Sequence, residues 1–368
     1  MVIFINISGR EAYEISPEEV SYYNSLIGHT PFSFFQSVNK PVVVFDYYEH
    51  YASELIKDLC NACNIEFSCS IEYLQDPNVE AKCSFDGKNN KLIIFEGALL
   101  SIYRFASILS CIYRTVAMKN EPSNAKCHKF DINTITDNGM EIDTSIIISD
   151  IIEENIITDY IAMIALKIII AHEIGHLLSG HVQYRQQLGE VSVEFAMANT
   201  TSYVDNEILQ VMEIDADQFS ACQIMTILEN DLINDEKLKS ILPDRKQIYR
   251  LVGSAIQCVF YLIGIKNDFW ETKTPSQYTH PPARTRANLF LDIMRLQMGK
   301  ERERDWAQIA NGVIIAQKNI YAYYGTKYKN PIQFVTDIMG NDKYGNCLLD
   351  KWRQLKPDFA KLSKLPFV

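Results

Sequence analysis

The fold turns on Ile168-Ile169-Ile170-Ala171-His172-Glu173-Ile174-Gly175-His176-Leu177-Leu178. From about Thr158 to His181 the apolar residues recur at helical spacing, which predicts a buried helix. Two histidines at i and i+4 share one face of such a helix, so both rings can reach one point. Two surface histidines beside a glutamate would be ordinary on an exposed helix. Here isoleucines lead in and leucines lead out. Buried imidazoles and a buried carboxyl need partners, because an unpaired polar group away from water is costly.

A metal ion answers that need. Zinc takes neutral imidazole nitrogens in a roughly tetrahedral shell, and a catalytic site uses three protein ligands with one position open. His172 and His176 supply two. Glu173 is badly placed to be a third ligand from the same turn, but it can face a metal-held water as general base. The third ligand should come from another element, and Glu213-Ile214-Asp215-Ala216-Asp217 is the best candidate. Glu213 and Asp217 are again i and i+4. Glu213 reads as the ligand, and Asp217 as the acceptor for the other ring N–H of a ligating histidine. An exposed acidic helix face would show the same letters; the histidine pair upstream favours the ligand reading.

Working outward, a second helix should run from about Asp205 to Glu229, capped by Asp205 or Asn206. Buried or amphipathic helices are expected at Ala98–Met118, at about Gln247–Ile265 and at Arg284–Met298, and the last seventy residues look mainly helical. Val42 to Phe45 reads as a buried strand after Pro41, Tyr51 to Cys63 as a helix, and Ile65 to Tyr73 as a strand. Asp86-Gly87 and Asn89-Asn90 supply turn chemistry ahead of a strand at Lys91 to Phe95. Residues 119 to 144, with Cys127-His128, and residues 182 to 203 read as loop or irregular. Cys60 and Cys63, with Cys69 and Cys83, lack the spacing of a zinc ribbon and suit a helix face better.

The 368 residues carry a formal net charge of −11, which argues against a nucleic-acid partner held through phosphates. Nine cysteines without regular spacing suit a reducing compartment. The first residues show no cationic start or small-residue cleavage site, so a cytoplasmic location is expected. Charged residues interrupt Ala98 to Met118 and Ile161 to Leu178, and Leu251 to Ile265 is short for a span, so buried helices are preferred to membrane spans.

His172-Glu173-Ile174-Gly175-His176 with the distal Glu213-x-x-Ala216-Asp217 resembles the gluzincin peptidases, in particular the HtpX-type and CAAX-prenyl-protease-type group. Thr279-His280-Pro281-Pro282, followed by Arg284 and Arg286, resembles a stretch that follows the glutamate ligand in those peptidases. His181 stands where many members carry a histidine, one residue short of the third-ligand spacing of metzincins. The pieces keep the family order from His172 to Arg286; the first 150 residues and the tail after Leu296 show no such match, and the membrane helices of some members are missing.

The resemblance implies an α+β, mainly helical fold. It would have a zincin-like metallopeptidase core, to which the residue patterns outside the matched span add a small N-terminal mixed sheet and a helical C-terminal region. Residues 1–150 would hold the sheet and its backing helix, 151–298 the catalytic part, and 299–368 a C-terminal extension. The implied activity is a Zn2+-dependent endopeptidase of intracellular proteins or peptides, with Glu173 as general base toward zinc-bound water. His280 would approach the metal reversibly or polarise the substrate carbonyl, or else be a loop histidine packed beside prolines. Arg284 and Arg286 could pair with Asp217 or Asp215, or face solvent; Arg284 is taken as the supporting residue. Tyr278 is a weaker oxyanion candidate. The strand Lys91–Phe95 is the candidate edge for an extended peptide. A latent, narrowly targeted protease of a defence or toxin-like system is one alternative. A non-catalytic metal-binding interaction protein is another, though it would have no use for a general base.

Overall fold

The computed structural model describes residues 43–74, 80–117, 127–130, 133–135, 141–143, 146–149, 152–188, 205–266, 279–324 and 343–365. Over these the protein is mainly helical with a small three-stranded sheet. Its centre is α3, Ile152–Leu178. Ile157, Ile161, Ile164, Ala165, Ile168, Ala171, Ile174 and Leu178 are all essentially inaccessible to solvent. A helix apolar on every side can only lie inside other elements. Here it is wrapped by α1 (Val43–Cys63), α2 (Glu96–Ala117), α5 (Asn206–Ile227) and α7 (Arg245–Lys266). Residues Glu153–Leu178 are long and apolar enough to cross a membrane, yet 78% of their most apolar window is buried within the protein. The layers of helix around it account for its composition.

The sheet has the order β1-β3-β2, with β1 Cys69–Leu74, β2 Ala81–Phe85 and β3 Asn90–Phe95. β1 runs parallel to β3, and β2 antiparallel to it, with Cys83 opposite Leu92. The β2–β3 hairpin closes on Asp86, whose carboxylate accepts from the N–H groups of Lys88 and Asn89. Gly87 supplies the positive φ that this turn requires. Lys91–Phe95 is therefore the middle strand. The edge facing the site falls to β2, a segment with no alternation strong enough to mark it in the sequence.

Other expectations are corrected. Val43, Val44 and Phe45 belong to the first turn of α1, because Tyr51, Ala52, Leu55, Ile56 and Leu59 further along form one buried helical face. Packing of that face outweighs the β preference of a short valine run. Within the presumed loop 119–144, Cys127–Phe130 (β4), Asn133–Ile135 (β5) and Glu141–Asp143 (β6) are strands, and β4 pairs with β7, Ile146–Ser149. The start of the presumed irregular stretch is a short helix, α4, His181–Gln187.

α5 begins at Asp205, whose carboxylate accepts from Glu207 N at 3.0 Å, as expected of a cap. Two contacts set α5 against α3. Ser220 Oγ donates to Ile168 O at 2.8 Å. Gly175 lets the helices close in, since a Cβ there would stand 3.2 Å from Phe219 Cβ and 3.3 Å from Ala216 Cα. α6 (Glu236–Ile241), α8 (Ala283–Met298), α9 (Glu303–Tyr324) and α10 (Lys343–Ala360) complete the described helices. The first core joins α1, α2, α3, α7 and α9 with one face each of α5 and α8. A second, smaller one lies on the opposite face of α5, where Leu209, Met212 and Ile214 meet Leu289 of α8 and Leu348 and Phe359 of α10.

Candidate metal centre

The helical spacing of α3 and the close approach of α5 bring three side chains together. His172 Nε2 and His176 Nε2 stand 3.0 Å apart. Glu213 Oε2 lies 3.4 Å from the first and Glu213 Oε1 3.3 Å from the second. Among the described residues this is the one group of three donors able to hold a metal ion. Among the described residues no metal-binding group includes Cys60, Cys69 or Cys83; the side chain of Cys63 lies outside them. His172 is buried, and His176 and Glu213 keep a little exposure, so the donors open toward solvent on one side.

Each donor is held from behind. Asp217 Oδ1 is 2.9 Å from His172 Nδ1. Arg286, buried on α8, donates from Nε and Nη2 to the two Asp217 oxygens at 2.7 and 2.8 Å, and its Nη1 reaches Glu213 Oε2 at 2.8 Å. Arg284 is exposed. The supporting place expected for it is filled by Arg286, two residues on and on the other side of the helix. Behind His176, the His181 Nδ1 stands 3.0 Å from His176 Nδ1. On its far side His181 Nε2 stands 3.0 Å from Asp215 Oδ2. The support that His181 and Asp215 give was not anticipated; the i+5 spacing from His176 was its only sequence signal.

Electrostatics follow from this packing. Burial would raise the Glu213 pKa, but His280, Arg286 and the two histidines hold it well below the carboxylate range. Asp217 is likewise kept ionised against its burial, chiefly by Arg286. Burial pulls the His176 pKa down, so its ring is neutral, the form a metal requires. On His172 the Asp217 and Glu213 carboxylates outweigh burial and raise the pKa. Glu213 and Asp217 together carry two negative charges, met by Arg286 and by the proton held on His172. A metal ion at Nε2 would take the place of the His172 proton as the second positive charge.

Glu173 projects beside the donors, densely surrounded yet partly open. Burial raises its pKa to about 7, with Glu213 adding to the shift and His172 opposing it. Cys83 of β2 lies beside it; burial and then the nearby Glu173 carboxyl push the Cys83 thiol well above its ordinary pKa. Gln186 of α4 donates to Phe85 O at 2.7 Å, tying the end of β2 to the chain that follows the metal helix. His280 lies at the rim, 44% exposed, with Nε2 3.7 Å from Glu213 Oε1 and Nδ1 2.9 Å from Thr279 Oγ1. Tyr278 lies outside the described residues.

No curated protein and no solved structure matches the chain. A family model does: that of Peptidase U49 matches residues 137–306, a span that holds His172, Glu173, His176, Glu213, Asp217 and Arg286, and it points to a peptidase.

Proposed function

We propose that the protein is a zinc-dependent endopeptidase of intracellular proteins or peptides, with His172, His176 and Glu213 as metal ligands and Glu173 as general base. The donor spacing carries this reading. Ligand atoms at about 2.05 Å from a tetrahedral zinc are about 3.3 Å from one another. Here the two histidine nitrogens stand 3.0 Å apart, and each meets a different oxygen of the Glu213 carboxylate, at 3.4 and 3.3 Å, so the three side chains converge on a space of that size. Two neutral imidazoles and one carboxylate are also the donor chemistry of catalytic zinc, leaving one position for water or substrate.

When bound, zinc lowers the pKa of its water toward about 7 and polarises a scissile carbonyl. The other steps belong to this chain. Glu173 takes the proton of the attacking water and returns it to the departing amine. Asp217 accepts from His172 Nδ1, which leaves Nε2 bare toward the ion. His280, at the rim, would polarise the carbonyl of a bound peptide.

β2 supplies the docking edge. Asp86 N donates to Asn89 O, and Phe95 N to Glu80 O. In an antiparallel ladder these pairs make residues 80, 82, 84 and 86 bond to β3 and turn the backbone of Ala81, Cys83 and Phe85 outward. Phe85 O is taken by Gln186. Ala81 and Cys83 then offer strand addition to an extended peptide beside Glu173. An antiparallel edge strand next to the metal helix is what favours a zincin-like core and the gluzincin resemblance, including its HtpX-type and CAAX-prenyl-protease-type group.

The test compares wild type with Glu173→Gln in cell lysate, mapping new protein termini and measuring bound zinc. Wild type should create termini. The variant should hold zinc equally and create none. Wild-type cleavage by the variant refutes Glu173 as base, and a wild type that binds no zinc refutes the whole reading.

A further inference from the structure

The last described helix, α10, lies outside the span matched by the peptidase family. It nevertheless ends a chain of contacts that starts at a metal donor. His176 Nδ1 is 3.0 Å from His181 Nδ1, and His181 Nε2 is 3.0 Å from Asp215 Oδ2. Asp215 Oδ1 accepts from Trp352 Nε1 of α10 at 2.6 Å. His181 is 1% exposed, so water does not substitute for these partners. Phe359, also of α10, lays its ring edge-on to His181, with centroids 4.8 Å apart.

The chemistry of the ends sets the direction of the protons. If His176 Nε2 faces an ion it carries no hydrogen, so Nδ1 carries it and donates to His181 Nδ1. His181 then bears its hydrogen on Nε2, on the side of the Asp215 carboxylate 3.0 Å away. Trp352 can only donate, which makes Asp215 its acceptor. With both imidazoles neutral, a single arrangement fits the whole chain of contacts. It is the one that leaves His176 Nε2 bare.

The backbone serves the same arrangement. α3 ends at Leu178, and Gly180 takes a left-handed conformation, φ 80°, that turns His181 back toward His176. A Cβ at Gly180 would lie 2.7 Å from Leu362. The C-terminal segment also caps the metal helix: Lys364 N and Ser363 Oγ donate to Leu178 O, at 2.8 and 3.0 Å. This carbonyl is among the last four of the helix, which have no partner within it.

We propose that His181, Asp215 and Trp352 are positioning residues for the metal ligand His176, so that the C-terminal helix completes the metal site. This rests on the zinc reading above. His181 sets the tautomer and ring angle of His176, Asp215 sets His181, and Trp352 holds Asp215 in place.

The test is zinc affinity of the full-length protein, measured by competition with a chromophoric chelator for wild type, His172→Ala, His181→Phe, His181→Asn and Trp352→Phe. Thermal unfolding of each metal-free protein is followed alongside. His181→Phe should weaken zinc binding by about 10- to 100-fold, the usual range for loss of a hydrogen-bonded support behind a ligand. His181→Asn, whose amide can stand near the lost Nδ1, should bind more tightly than His181→Phe. Trp352→Phe keeps an aromatic ring but no N–H, and should show a smaller loss. Wild-type affinity in His181→Phe overturns the proposal at its first link, and in Trp352→Phe at its last. A packing role alone predicts the reverse order, with phenylalanine nearer wild type than asparagine, and that too overturns it. If His181→Phe does not fold, Trp352→Phe decides. The zinc reading itself fails separately, by no binding in wild type or no loss in His172→Ala.

Discussion

Arg286 clasps Asp217 through two parallel hydrogen bonds, Nε to Oδ2 at 2.7 Å and Nη2 to Oδ1 at 2.8 Å. Both residues are buried, and the remaining nitrogen of the guanidinium holds Glu213 at 2.8 Å. Replacing Arg286 by methionine leaves two carboxylates without their counter-ion. Breaking a buried pair from one side costs about 3–5 kcal/mol. Arg286→Met should therefore lower the urea midpoint of the metal-free protein strongly. Saturating zinc should recover part of the loss, because a cation at Glu213 replaces some of the missing positive charge. Arg284→Met, on the exposed side of the same helix, should change stability by no more than about 0.5 kcal/mol. Equal effects of the two substitutions would contradict the assignment of the clamp to Arg286.

Gly175 separates stability from metal binding. An added Cβ would sit 3.2 Å from Phe219 Cβ and 3.3 Å from Ala216 Cα, so α5 must yield by a few tenths of an ångström. Alanine gains about 0.5–1 kcal/mol of helix preference over glycine, which offsets part of that strain. Glu213 rides on the displaced helix, one turn from Ala216. Gly175→Ala should thus unfold within a few degrees of wild type but bind zinc more weakly. Chelator competition and thermal melting on the same sample check this; unchanged affinity would show that α3 and α5 accommodate the methyl without moving the carboxylate.

Much of this arrangement is legible in the sequence because its signals are local. The i, i+4 pairs His172/His176 and Glu213/Asp217 announce shared helix faces, and Asp205 announces the start of α5. What is not legible depends on phase or on distance along the chain. Arg284 and Arg286 differ by two residues, which on a helix turns one about 200° from the other; the loop prolines before them do not reveal which faces inward. Lys91–Phe95 reads correctly as a strand, but its central place depends on β1 and β2 pairing to either side. Val42 to Phe45 reads as a strand on composition alone, while the helix forms because Tyr51 to Leu59 supply a buried face. Trp352 meets Asp215 across 137 residues, and no spacing rule connects them.

The pair α7 and α9 depends on two glycines. A Cβ on Gly253 would fall on Ile309 O and lie 2.9 Å from Val313 N; one on Gly312 would fall on Arg250 O and lie 2.8 Å from Arg250 Cα. These obstacles are backbone atoms, which cannot swing aside as a side chain can. Overpacking of a close-packed interior commonly costs about 1–3 kcal/mol, and more where backbone must part. Gly253→Ala and Gly312→Ala should each destabilise by at least about 3 kcal/mol, despite the better helix preference of alanine. The double variant should lose less than the sum, because once the helices have separated the second methyl meets little. Urea unfolding of the three variants checks both statements, and a neutral single substitution would show that the helices do not cross this closely.

Asp159 gives the fold a pH dependence of known sign. It lies on α3, where burial raises its pKa to about 6 despite a hydrogen bond from Tyr103 Oη at 3.3 Å and the charge of Lys237. In the unfolded chain an aspartate titrates near 3.9. The folded state therefore holds the proton more tightly, and stability falls as pH rises between about 4 and 6, then levels. The ionised form costs at most about 3 kcal/mol above pH 6, reduced by the solvent that still reaches the group. Asparagine keeps an oxygen to accept from Tyr103 and carries no charge. Asp159→Asn should match wild type near pH 4 and exceed it in stability by a growing margin up to pH 6, with the margin constant from there to pH 8. Urea midpoints across that range measure it. A gap of the same size at pH 4 and pH 7 would mean that packing, and not ionisation of a buried carboxyl, separates the two proteins.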